Sequence, residues 1–102
     1  MRTIVFFDLP VTTRKERRIY TDFRKWLIKN GHIMIQYSVY VKVFTNRDAA
    51  VKHIGKLRQN APKSGAVRVM LVTEKQYARM EIIVGGKSAQ EEECTTDPLM
   101  IL

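Results

Sequence analysis

The side chains of this chain that could do chemistry are few, and most are cationic. Asp8 closes the apolar run Ile4-Val5-Phe6-Phe7 and stands just before Leu9-Pro10. Its carboxylate admits two readings. It opens a turn and accepts from free backbone N–H groups. Alternatively, brought beside its symmetry mate, it offers oxygen ligands to a Mg²⁺ ion that neutralises a phosphate and activates a water for phosphodiester cleavage. Arg14, Lys15, Arg17, Arg18, Arg24, Lys25 and Lys29 crowd one predicted helix. Of these, Arg14, Arg17, Arg18 and Lys25 are spaced to lie close together on its solvated face and first turn. Like charges three and four residues apart destabilise an isolated helix, and a merely solvated face mixes signs more evenly. Arginine matches phosphate geometry with two parallel hydrogen bonds, so this cluster is read as phosphate-binding.

Other chemistries lack their residues. His32 and His53 are the only histidines and Cys94 is the only cysteine. No acidic cluster stands near either histidine at ligand spacing, so zinc is not expected. There is no Ser-His-Asp order, glycine-rich phosphate loop or nucleophile elbow. Gln36, Ser38 and Tyr40 are polar positions of a strand, suited to a dimer interface, to RNA contact or simply to solvent.

The overall balance favours a polyanionic partner. The 102 residues suffice for one domain, 45% hydrophobic and 27% charged, with a net charge of +8. Residues 1–86 carry 17 Lys and Arg against 6 Asp and Glu, whereas residues 87–102 set one Lys against Glu91, Glu92, Glu93 and Asp97. A folded body so positive attracts nucleic acid and speeds its encounter. The lone cysteine suits a reducing cytoplasm. The four-residue apolar run near the N-terminus is too short for a signal peptide or a membrane span, so a soluble cytoplasmic protein with no membrane partner is expected.

Several elements must position these groups. Residues 3–7 are β-branched and aromatic on both faces, which predicts a central, doubly buried strand. Thr13 and Glu16 have capping-box spacing, and the helix they open runs to about Asn30, where Gly31 supplies the left-handed cap. Residues 33–43 alternate cleanly, with Ile33, Ile35, Tyr37, Val39, Val41 and Val43 on one side, a pattern that also admits a split into two strands. A second helix follows from Asn46 to about Asn60, with Ala50, Val51, Ile54 and Leu57 inward. Residues 61–65 turn into a strand over 66–73, Thr73–Gln76 adds a helical turn, and residues 77–84 read as a further strand closed by Gly85-Gly86. The order predicts an α+β, ferredoxin-like βαββαβ sandwich with an extra C-terminal strand and both helices on one sheet face. Ile4 and Phe6 lie on the other side of the first strand from Val5 and Phe7, so the face left uncovered by the helices is apolar too, and a twofold-related sheet packed face to face is the simplest cover. The domain is assigned to residues 1–86. Residues 87–102 form an acidic then apolar tail, ending Pro98-Leu99-Met100-Ile101-Leu102, that is either a partner-docking strand or a frayed end.

Taken together, these residues resemble the CRISPR-associated protein two family, the small partner of the CRISPR integrase in spacer acquisition. The matching pieces are Ile4 through Pro10, Lys15-Glu16-Arg17-Arg18, Asn30-Gly31, Gln36 through Tyr40, and Val67 through Ala78. The last of these is similar to the branch found beside the single-protein effector nuclease. The resemblance implies a homodimer in which each last strand crosses to the neighbouring sheet. It implies that Asp8 is the metal-associated, catalytic aspartate at the dimer interface, served by Mg²⁺ or Mn²⁺ in an endoribonuclease or endodeoxyribonuclease. It further implies that Arg14, Lys15, Arg17 and Arg18 hold double-stranded DNA, with RNA as the other candidate, while the dimer bridges integrase subunits. Many members carry Tyr before the aspartate, where this chain has Phe7, one hydroxyl fewer. A self-contained toxin-like RNase and an RNA-recognition module share this element order; the second needs an aromatic pattern that residues 66–73 lack.

Overall fold

The computed structural model describes residues 1–86, so the expectation for the tail lies outside the described residues. Seven elements follow one another: β1 (Arg2–Asp8), α1 (Arg14–Lys29), β2 (Ile33–Gln36), β3 (Val39–Val43), α2 (Arg47–Asn60), β4 (Ala66–Val72) and α3 (Glu74–Ala78). The strands form one antiparallel sheet in the order β2-β3-β1-β4. This is the α+β, ferredoxin-like arrangement.

Local signals set the helix ends. Thr13 Oγ1 accepts from Glu16 N at 3.1 Å and Glu16 Oε1 accepts from Thr13 N at 2.8 Å, closing the capping box. At the far end, Gly31 takes a φ of +87°. His32 N donates to Leu27 O at 3.0 Å and Gly31 N to Ile28 O at 3.1 Å, a complete Schellman motif. Asn46 caps α2 by accepting from Ala49 N at 2.8 Å. The alternation over 33–43 breaks into a hairpin at Tyr37-Ser38, with a bulge between Met34 and Gln36.

The sheet has two unlike faces. Val5 and Phe7 of β1 and Tyr40 of β3 join Phe23 and Leu27 of α1 and Leu57 of α2 in the core. Phe7 lies at its centre, with the rings of Tyr20, Phe23 and Tyr40 at 5.7, 5.2 and 5.7 Å between centroids. The opposite face presents Ile4, Phe6 and Asp8 of β1, with Val41 and Met70 flanking Ile4 and Val39 and Arg68 flanking Phe6. At one end of that face the buried Arg2 donates through Nε to both Glu74 oxygens, at 3.0 and 2.8 Å, and lies 4.2 Å from the Tyr77 ring centre. This latch ties α3 to the sheet.

Two expectations need correction. Residues 77–84 do not form a strand. Thr73 and Gln76 make a second capping box, so the helix it opens absorbs Tyr77 and Ala78 before Arg79 ends it. The chain beyond is irregular and leaves Ile83 83% exposed. The extra C-terminal strand is therefore absent among the described residues. On α2, Val51 is 52% exposed and His53 takes the inward place between Ala50 and Leu57.

That histidine meets the other. His32 Nε2 and His53 Nε2 are 2.9 Å apart, with Trp26 stacked on the His53 ring at 5.9 Å. His32 Nδ1 is buried with no hydrogen-bond partner among the described residues. One of the two Nε2 atoms carries the proton that the other accepts. Burial first, then the proximity of His53 and of Lys42, pushes His32 from 6.5 down to about 3. Burial, then Lys42 and Lys56, lowers His53 as well.

Gly65 has a φ of +78°, and a Cβ there would stand 2.7 Å from Asp8 O and 2.8 Å from Leu9 Cδ2. Gly65→Ala is expected to cost about 1–3 kcal/mol in urea unfolding. Gly55→Ala, in α2 with nothing within 4 Å, is expected to stabilise by about 0.5–1 kcal/mol. For the histidines, an unfolded chain takes up protons near pH 6.5 that folded His32 refuses until about pH 3. Their contribution is whole above pH 6.5 and falls as the pH drops through this window. The urea midpoint should decline across it, and less steeply in His53→Phe.

Candidate nucleic-acid interface

Asp8 stands at the exposed end of β1, opposite Ala66 of β4. Gly65 lies close against its backbone, since a Cβ there would stand 2.7 Å from Asp8 O. The Asp8 carboxylate accepts no hydrogen bond and forms no ion pair among the described residues. Beside it opens a shallow groove of about 290 Å³ lined by Phe6, Asp8, Tyr37, Ser38, Val39 and Arg68. Phe7 N donates to Ser38 O at 3.1 Å, tying the hairpin tip to the end of β1.

The chain from Asp8 reaches the start of α1 within six residues, so the carboxylate and the basic helix start share one end of the domain. Arg14, Lys15, Arg17, Arg18 and Lys25 are all exposed. At about 100° per residue, Arg14, Arg18 and Lys25 fall into one row along α1, while Lys15 stands to one side of it and Arg17 to the other. Arg17 Nη1 donates to Thr12 O at 2.8 Å and Val11 O at 3.3 Å, so this guanidinium clamps the loop before the helix. Glu16, the one acid of that turn, accepts from the Thr12 and Thr13 N–H groups at 3.1 and 2.8 Å. The Thr13 N–H bond above all keeps its carboxyl below the usual range. None of the five cations has an ion-pair partner among the described residues, where both bridges end on Glu74. No ion pair offsets the row among the described residues, although Asp22 stands exposed on the same helix between Arg18 and Lys25.

Two neighbours of the groove escaped the sequence reading. Tyr37 was expected on the apolar side of a continuous strand, but it stands at the hairpin tip, 73% exposed, with its ring stacked on Tyr20 at 6.1 Å. Arg68 lies across from Phe6 with no ion pair among the described residues. The adjacency of Tyr37 to Ser38, in a stretch where alternation and a turn were both admissible, was the available signal.

No group of three or more His, Cys, Asp or Glu stands together among the described residues, and Asp8 is the one carboxylate among those lining the groove. No helix among them is long and apolar enough to cross a membrane.

The model of the family described as CRISPR associated protein Cas2 matches residues 1–80. A protein of Treponema denticola named CRISPR-associated endoribonuclease Cas2 is 54% identical over 105 residues, spanning 100% of both chains. The protein of the same name from Acidovorax ebreus is 50% identical over 92 residues, 90% of each chain. That of Streptococcus mutans strain UA159 is 46% identical over 87 residues, 85% of this chain and 80% of its own. With its sheet order, its β1 aspartate and its basic helix already described, this chain belongs to the Cas2 family of CRISPR-associated proteins.

Proposed function

We propose that this chain works in CRISPR adaptation as a cytoplasmic homodimer that holds double-stranded prespacer DNA by its phosphates and bridges integrase subunits. The observation that carries this reading is the row Arg14, Arg18 and Lys25, exposed and without counter-ions among the described residues. An isolated helix gains nothing from such a row, whereas a phosphate backbone releases its own counter-ions on meeting it. The dimer is supported by the sheet face opposite the helices, where Phe6 is 36% and Met70 49% exposed. A second copy laid on that face would bring two Asp8 carboxylates together. The tail beyond Gly86 is assigned to integrase docking.

A second reading is favoured by the relatives' name and by the unengaged Asp8 carboxylate. In it the dimer is a metal-dependent endonuclease. One Asp8 is a sparse site, but Mg²⁺ accepts one or two carboxylates and keeps its remaining positions for water and phosphate. The oxygen donors fit Mg²⁺, or Mn²⁺ in its place, when both copies contribute. The ion supplies charge neutralisation and a more acidic water. The chain's own part is to hold the carboxylates, by the Gly65 contact and the β1 register, while α1 fixes the backbone of the substrate.

Duplex affinity is expected to fall roughly a thousandfold between 50 and 200 mM salt for about six phosphate contacts. Arg14→Glu combined with Arg18→Glu should flatten that slope, and a wild-type response already flat would reject the reading. Cleavage of single-stranded RNA in Mg²⁺ should vanish in Asp8→Ala with duplex binding intact. Equal cleavage by the variant would trace the activity to a contaminant.

A further inference from the structure

Tyr37 has no part in the core and none in the proposed phosphate row, yet its ring has a stacking partner. Its ring stacks on Tyr20 with planes 21° apart, and Tyr20 is itself packed against Phe7. The next residue, Ser38, has a φ of +61°, a left-handed conformation unusual for a side chain with a Cβ. Ser38 O is tied to Phe7 N at 3.1 Å. Such strain persists only where the surroundings over-determine it, and it gathers at binding sites. Stacking covers part of one ring face, and an exposure of 73% leaves most of the ring in water.

We infer that Tyr37 is a stacking platform for one unpaired nucleobase, seated at the mouth of the groove that contains Asp8 and Arg68. The inference rests on the reading of this chain as a nucleic-acid-binding protein and adds a subsite to it. The chemistry of the groove is complementary to a nucleotide. Tyr37 presents an exposed aromatic surface, Arg68 a guanidinium without an ion pair among the described residues and Asp8 a carboxylate, all lining the shallow groove of about 290 Å³ in a single chain. Bases within a duplex already stack on their neighbours, so only an unpaired base can use the ring. A domain body of 17 cations against 6 anions favours this occupant over an acidic side chain or an apolar peptide, which would gain nothing from a flat π-surface beside a phosphate-binding guanidinium. The platform thus separates two activities of one protein. The α1 row serves any phosphate chain, and Tyr37 serves a single strand or a frayed end.

The test uses single-stranded RNA and DNA carrying 2-aminopurine, a base whose fluorescence is quenched on stacking, with a fluorescein-labelled duplex as control. Wild type and Tyr37→Phe should quench the probe and bind the single strands alike. Tyr37→Ala should lose the quench and bind them about ten- to a hundredfold more weakly. Duplex affinity should stay within about twofold in all three, as expected if phosphate contacts alone hold the duplex. Quenching retained by Tyr37→Ala overturns the inference and leaves the proposed function standing. An equal loss on the duplex also overturns it, because the residue would then support the fold or the dimer. A wild type that binds neither form removes the proposed function first.

Discussion

Everything in this domain depends on the pairing of β1 along both of its edges. Phe6 is held between Val39 and Arg68, and Val5 between Tyr40 and Val69. Side chains alternate along a strand, so this register alone sends Val5 and Phe7 to the helices and Ile4, Phe6 and Asp8 away from them. A slip of one residue would bury Asp8 among aromatic rings and expose Phe7. The position of the carboxylate is thus a property of the whole sheet.

The allocation of acidic groups has as much effect as that of the basic ones. Residues 1–86 contain six acids. Glu16 is spent on the N–H groups before α1, and Glu74 on Arg2 and the terminal amine. Both therefore act as backbone or latch partners at fixed places, and of the two only Glu16 lies beside a cation of α1, Arg17. Asp48, in the first turn of α2, sits where a helix end favours negative charge. The positive stripe arises because cations outnumber acids along α1 and because Asp22, the other acid of that helix, forms no ion pair with them among the described residues.

Much of this was legible in the residues. Strand β1, both ends of α1 and the cap of α2 follow from short-range chemistry, in which a Thr-x-x-Glu or an Asn-Gly pair satisfies backbone groups wherever it occurs. The same rule was underused at Thr73, where the Thr-x-x-Gln box outweighs the β-propensity of Tyr77 and Ile82. What could not be read depends on contacts between distant segments. His53 displaces Val51 from the inward face of α2 because His32, twenty-one positions earlier, offers it a hydrogen bond. Tyr37 leaves the apolar stripe because the chain reverses there, and alternation alone does not distinguish a long strand from two short ones.

The hairpin tip sets stiffness against comfort. Glycine in place of Ser38 would relax the left-handed backbone, and the domain would gain stability from the exchange. The same freedom would let the neighbouring ring wander, since the torsion that strains the tip also aims it. A more stable variant of this protein could for that reason be a less discriminating one, and mutational searches that reward thermal resistance alone would be drawn to this position.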